Sequence, residues 1–264
     1  MKKAMDYTPD TIYLMDAFEL LERLPDAAAD LILTDPPYGI GYQNQFTQTP
    51  HPEIIGDGIE ECAFDYEHMA RECYRILKPN SHAYFFTRFD RYPLHYAALE
   101  QAGFTIKNCL VIEKNTVGGI GDLLGSYASN AEWVIFCQKG RQHFFKTQLL
   151  RNHRFGGVPG AKRKQVPEFK TRFPACWFGP EYPKSTYSTG WHQRTGFSHP
   201  TMKNTVCLEW LIQISTAPDA LVVDPFMGSG STALAAVNTG RHFLGCEIVP
   251  EYHALALQRL ETGI

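Results

Sequence analysis

Short apolar runs alternate with stretches whose apolar residues recur every three or four positions, and this alternation fills the first 140 residues. TIYLM (11–15), DLILTD (30–35), HAYFFT (82–87), KNCLVIE (107–113) and EWVIFCQ (132–138) are mostly apolar on both faces, the pattern of buried, largely parallel strands. Between them, AFELLERL (17–24), YEHMARECYRILK (66–78) and RYPLHYAALEQAG (91–103) carry apolar residues at helical spacing, with Pro79 and Gly103 as stop signals. Strand and helix in alternation predict an α/β fold with crossover connections. From Gly140 to His199 the periodicity fades, and Gly, Pro, Arg, Lys and aromatic residues dominate. Trp177, Trp191 and several Phe and Tyr residues are more than a disordered linker carries, so a small irregular lobe, partly ordered only on its ligand, is expected. The α/β pattern then returns as helix 203–215, strand 220–226, helix 230–240, strand 242–248 and helix 250–263, with Pro250 in the first turn of the last. The expected organisation is one half-domain at 1–140, a lobe at 141–198 and a second half-domain at 199–264.

Composition narrows the class only modestly. Hydrophobic residues make up 44% and charged residues 20% of 264 positions, ordinary values for a soluble globular protein. No apolar run approaches the roughly 20 residues of a membrane span, and no apolar segment follows Lys2 and Lys3 to form a signal peptide. The seven cysteines (62, 73, 109, 137, 176, 207, 246) include no CxxC pair, which argues against a disulfide framework and a zinc site and fits a reduced cytoplasm. Charge is distributed unevenly. Residues 141–200 hold 11 Lys and Arg against 2 Asp and Glu, whereas the remainder holds 14 against 26. A polyanion partner for the basic stretch and a merely solvated basic face both account for that split.

Two strand ends carry chemistry. Asp224-Pro225-Phe226-Met227-Gly228-Ser229-Gly230-Ser231-Thr232 follows a strand and opens a helix, where glycines allow a tight turn and close approach and the helix start offers free N–H groups. The next strand ends at Glu247, where a carboxylate can bond ribose hydroxyls. The loop is not GxGxxG, and no GxxxxGK[ST] is present, which speaks against nicotinamide, flavin and phosphate-loop sites. Asp35-Pro36-Pro37-Tyr38 ends another apolar strand, at the end of an open sheet where ligands bind. The Asp35 carboxylate and the Pro36 carbonyl can each accept an N–H while Tyr38 stacks, an arrangement suited to a planar base bearing an amino group. A plain turn with a capping Asp is the simpler alternative.

With these motifs in view, the chain resembles the amino-methylating DNA methyltransferases of the permuted beta group, in which the catalytic motif precedes the cofactor motif. Asp35, Pro36, Pro37 and Tyr38 resemble their catalytic tetrapeptide, and Asp224, Phe226, Gly228, Ser229, Gly230, Ser231 and Thr232 belong to a stretch similar to their S-adenosylmethionine loop. His199-Pro200-Thr201-Met202-Lys203 is similar to the HPTxK segment, which implies cofactor contacts for Thr201 and Lys203; Asn204 follows where Pro is common. Asp16 resembles the acidic strand end that contacts the cofactor adenine, and Glu247 the one that binds its ribose. Ile76 to Asn80 and Glu132 to Phe136 match framework segments. The resemblance implies a doubly wound, mostly parallel, circularly permuted methyltransferase sheet with an inserted lobe, S-adenosylmethionine as cofactor, no metal, double-stranded DNA as partner, and room for a homodimer.

An exocyclic amine is a poor nucleophile because its lone pair is delocalised. Two acceptors holding its hydrogens favour a pyramidal nitrogen and relieve developing positive charge, and the base must leave the stack to reach Asp35. No cysteine stands in the Pro-Cys setting of ring-carbon methyltransferases. Adenine N6 is the expected target, because relatives acting on cytosine N4 more often carry Ser at the position of Asp35. Cytosine-N4 methylation and a catalytically idle DNA-binding protein are the alternatives, while a protein or RNA amide methyltransferase would carry Asn there. Arg151, Arg154, Lys162, Arg163, Lys164, Lys170 and Arg172 are the expected phosphate contacts, against the alternative of a solvated turn. His51, His68, His82, His95 and His143 form no HxxxH or HExxH pattern and read as solvated or core histidines. The polar stretch 39–53 is expected to be a flap over the site.

Overall fold

The computed structural model describes residues 6–38, 65–114, 130–145, 175–177 and 202–263. Among the described residues, eight strands form one sheet: β1 (Thr11–Leu14), β2 (Ala29–Thr34), β3 (Leu77–Thr87), β4 (Thr105–Glu113), β5 (Ala131–Lys139), β6 (Cys176–Trp177), β7 (Leu221–Asp224) and β8 (His242–Glu247). The same described residues include six helices: α1 (Ala17–Arg23), α2 (Tyr66–Ile76), α3 (Tyr92–Gln101), α4 (Thr205–Ser215), α5 (Ser231–Asn238) and α6 (Pro250–Thr262). Strand order is β1-β8-β7-β2-β3-β5-β4-β6.

Alternation along the strands assigns each helix to a face. Leu31, Leu33, Tyr84, Phe86, Val134, Phe136, Val222 and Phe243 point into one core with α4, α5 and Ala256 of α6. Ile32, Ala83, Phe85, Ile135, Cys137, Val223 and Leu244 point the other way, against α1, α2 and α3. The helices of the first half of the chain thus cover one face and those of the last quarter the other. Leu31, Ile32 and Leu33 are all 0% exposed, and burying each contributes about 1.5–3 kcal/mol before chain entropy. A one-residue slip of β2 would exchange its two faces, so its register is fixed from both sides.

The sheet is mostly parallel, as the sequence predicts, and β5 is the exception. β1, β8, β7, β2 and β3 are parallel neighbours, but β5 runs antiparallel to both β3 and β4. Apolar runs report burial, not direction, so 107–113 and 132–138 could not declare it. β4 is also more exposed than predicted, with Thr105, Lys107 and Asn108 facing solvent. Helix α2 ends at Ile76, and Pro79 lies in the exposed opening of β3, not at the helix end. A residue before proline is disfavoured in helix, which releases Lys78 to the strand. Cys176 and Trp177 of the expected lobe belong to the sheet: Trp177 is 2% exposed and its ring lies 4.6 Å from that of Trp210.

The chain leaves β2 through α2 for β3 on one side, and leaves β7 through α5 for β8 on the other. β2 and β7 are hydrogen-bonded neighbours, so their carboxyl ends flank the point where the winding reverses. Open α/β sheets bind ligands at that crevice.

Candidate active site

Asp35 follows the last residue of β2, and Asp224 is the last residue of β7. A buried hydrogen bond ties the two strand ends together: the Thr34 hydroxyl donates to Asp224 Oδ1 at 2.7 Å. Asp224 also accepts from the Phe226 N–H at 3.0 Å. Burial pushes its carboxyl up to about 6, against hydrogen bonds from Thr232, Thr34 and Phe226. With 3% of its surface exposed, Asp224 lies beneath the glycine loop and shapes it.

The loop is held from three sides. Gly228 and Gly230 have φ of 53° and 78°, a region that favours glycine. The Gly228 N–H donates to Glu247 Oε2 at 2.8 Å, and the Val249 N–H donates to Oε1 at 2.9 Å. Burial raises the Glu247 carboxyl, and these N–H groups oppose that shift. Met227 N–H donates to the Cys246 carbonyl at 2.9 Å, which brings the loop across Gly245, where a Cβ would sit 2.2 Å from the Asp224 carbonyl oxygen. From α6, the wholly buried Arg259 sends Nη1 to the Ser229 carbonyl at 2.6 Å and to the Ser229 and Ser231 hydroxyls at 3.0 Å each. The Ser229 and Ser231 hydroxyls thus each accept from within the protein. Asp16 caps α1, accepting from Phe18 N at 2.9 Å and Glu19 N at 3.2 Å. Because β1 pairs with β8 and Leu14 faces Glu247, Asp16 shares the carboxyl edge with Glu247.

On the β2 side, Asp35 Oδ1 accepts from the Tyr38 hydroxyl, and Oδ2 lies 2.6 Å from the Lys203 ammonium. Burial first, and then the charge of Asp35, raises the Tyr38 phenol well above its ordinary value, so it remains a donor. Lys203 enters just ahead of α4, whose cap is Asn204, accepting from Val206 N at 2.9 Å. That cap explains asparagine where proline is common, since the side chain satisfies a free N–H of the first turn. His95 packs against Tyr66 with ring centres 3.8 Å apart and sits 6.2 Å from Tyr38. Its Nδ1 lies 2.8 Å from the Thr87 hydroxyl, and burial pushes it down to about 4, leaving it neutral at pH 7. His82 is fully buried between Ser215 and Gln138.

The structure thus gathers Asp35, Pro36, Pro37, Tyr38 and Lys203 on one side of the crevice, with Asp224, Phe226, Gly228, Ser229, Gly230, Ser231, Thr232 and Glu247 on the other and Asp16 at its margin. Thr201, residues 39–53 and the basic residues Arg151, Arg154, Lys162, Arg163, Lys164, Lys170 and Arg172 lie outside the described residues. Thr34 and Arg259, which tie the strand ends and the loop together, were not among the residues the sequence singled out. Among the described residues, no group of three or more His, Cys, Asp or Glu could hold a metal, and no helix is long and apolar enough to cross a membrane.

Comparison with known proteins agrees with this geometry. A family model described as DNA methylase, the N6_N4_Mtase family, matches residues 29–258. The chain belongs to that family. It is similar to YubD of Escherichia coli (strain K12), a provisionally named methylase, at 31% identity over 93% of this chain and 87% of the relative. It is also similar to the DNA adenine methyltransferase YhdJ of the same organism, at 27% identity over 96% and 83%. Among solved structures, M1.HpyAVI in complex with SAM aligns over 95% of this chain and 98% of that one, with a TM-score of 0.62 and 24% identity. The cytosine-N4-specific PvuII DNA methyltransferase aligns over 96% and 89%, with a TM-score of 0.66 and 17% identity. At those identities the two structures speak for the fold, which is that of a methyltransferase.

Proposed function

We propose that this chain transfers a methyl group from S-adenosylmethionine to the N6 amine of adenine in double-stranded DNA, by base flipping and direct transfer, in a cytoplasmic setting. The observation that carries the proposal is the Thr34–Asp224 hydrogen bond. It locks the end of the cofactor-type loop to the residue preceding Asp35, so donor and acceptor subsites share one rigid seam. The loop residues fit the cofactor: the positive φ of Gly228 and Gly230 shapes a tight turn at the end of the sheet, and the carboxylates of Glu247 and Asp16 share that edge to meet an adenosine.

The cofactor supplies an electrophilic methyl group on a sulfonium sulfur. Asp35 accepts an N–H from the target amine and holds its lone pair in line for attack, and the Pro36 carbonyl accepts the second. Phe226, the Gly228–Thr232 loop and Glu247 would hold the cofactor, whose sulfonium would give up its methyl to the amine and leave as a neutral thioether, with the surplus amine proton passing to water. The Tyr38 ring offers the stacking face that replaces the base's lost neighbours. Asp in place of Ser at position 35 and the likeness to YhdJ favour adenine over cytosine. The basic residues between 151 and 172 supply the phosphate contacts. The test is digestion and mass spectrometry of unmethylated genomic DNA after incubation with the protein and S-adenosylmethionine. N6-methyladenine is expected; N4-methylcytosine alone, or no modified base, would overturn the reading.

A further inference from the structure

The resemblance assigns Lys203 to the cofactor, yet its ammonium lies 2.6 Å from Asp35 Oδ2. It also lies 4.0 Å from Glu132 Oε2 and 5.1 Å from the centre of the Phe86 ring. Glu132 in turn meets Lys114 at 3.1 Å through its other oxygen. Asp35, Lys203, Glu132 and Lys114 therefore form a row of alternating charge drawn from the end of β2, the approach to α4, the start of β5 and the end of β4. Lys203 and Glu132 are each only 9% exposed. Removing such ions from water costs several kcal/mol apiece unless each is paired, so the row stands or falls together. Burial pulls the Lys203 ammonium down, but the charges of Asp35 and Glu132 outweigh it and hold it above the ordinary lysine value.

We propose that Lys203, braced by Glu132, is the positioning residue of Asp35 and acts on methyl transfer rather than on cofactor affinity. Both Asp35 oxygens are occupied, Oδ1 by Tyr38 and Oδ2 by Lys203. Tyr38 is the partner that stacking on a flipped base draws away, so the incoming amine takes Oδ1 while Lys203 stays on Oδ2. The lysine thereby fixes the plane of the carboxylate and the direction of its free lone pairs. An isolated cation here would oppose the positive charge that develops on the amine. Glu132 offsets it, so orientation is retained without making the site cationic. The antiparallel run of β5 is what brings Glu132 here, because its first residues lie at the carboxyl edge of the parallel strands.

This inference rests on the methyl-transfer reading above, and its test compares wild type, Lys203→Met, Glu132→Gln and the double variant. Single-turnover methylation of unmethylated genomic DNA is measured at saturating S-adenosylmethionine, and cofactor affinity is measured separately by calorimetry. Lys203→Met is expected to slow transfer about 100-fold while cofactor affinity changes less than about threefold. Glu132→Gln, nearly isosteric, should slow transfer by a smaller factor at unchanged affinity. The double variant should be no slower than Lys203→Met, because both act through one contact. Near-wild-type transfer by Lys203→Met, with its defect confined to cofactor affinity, would overturn the proposal, as would additive losses in the double variant. A wild-type protein that methylates nothing would remove the functional reading and this inference together; an active wild type matched by Lys203→Met removes only the inference.

Discussion

In the proposed reaction, Asp35 carries the contact with the target amine. Asp35 is bonded by Tyr38 and Lys203 rather than by the backbone N–H groups of a turn, so its removal should cost activity more than stability. Asp35→Ala is expected to lose about 3–4 kcal/mol of transition-state stabilisation in single-turnover transfer, on the scale of a lost preorganised partner, with cofactor affinity nearly unchanged by calorimetry. Tyr38→Phe should keep most of the rate because the stacking face survives, whereas Tyr38→Ala should weaken capture of the base. Asp224 makes a different forecast. Burial raises its carboxyl from 3.8 to about 6 in the folded protein, so the folded state holds the proton more tightly than the unfolded chain. Its stability contribution is therefore complete below the unfolded value and is lost as pH rises through about 6. Asp224→Asn, which still accepts from Thr34 and Phe226, should flatten that dependence. The melting temperature of the variant relative to wild type should be more favourable at pH 8 than at pH 4.5, and an unchanged difference would refute the assignment.

Among elements, α6 and β8 hold the cofactor-type loop in shape from below. Arg259→Leu would leave the Ser229 carbonyl and two buried hydroxyls without their donor, at a cost of about 1–3 kcal/mol. Both melting temperature and calorimetric cofactor affinity should fall. Gly245→Ala should cost a similar amount or more through overpacking, since its methyl group would meet backbone rather than a flexible side chain. These elements also mark the limit of what was legible in the sequence. Asp35 to Tyr38 and Gly228 to Thr232 announced themselves because their chemistry is local: a strand end, a turn residue and a helix start within a few positions. Lys203 on Asp35, Glu132 beside it and Arg259 under Ser229 could not be read, because each joins elements distant in sequence. Glu132 additionally depends on a strand direction that hydrophobicity does not encode. Trp177 was assigned to an irregular lobe because the texture around it is basic and aperiodic, yet two residues suffice to extend the sheet and fill its core.

At the scale of the whole molecule, charge is segregated: the 141–200 stretch is strongly basic and the rest is acidic. DNA affinity should fall steeply with salt through counterion release, and replacing Lys162, Arg163 and Lys164 with Ala should reduce the log–log slope by about 2–3. Fluorescence anisotropy with duplex DNA would measure this, and cofactor affinity should not change; an unaltered slope would mean those three residues face solvent. The pairing of β2 with β7 has a further consequence for how the protein comes into being. A ribosome completes Thr34 some 190 residues before Asp224, which at about 5–20 residues per second is an interval of about 10–40 s. Through most of it the nascent polypeptide carries Asp35 without Lys203, and through all of it without the Gly228–Thr232 loop. A product truncated between Tyr38 and Asp224 is therefore expected to be silent, holding one half of the crevice without the other.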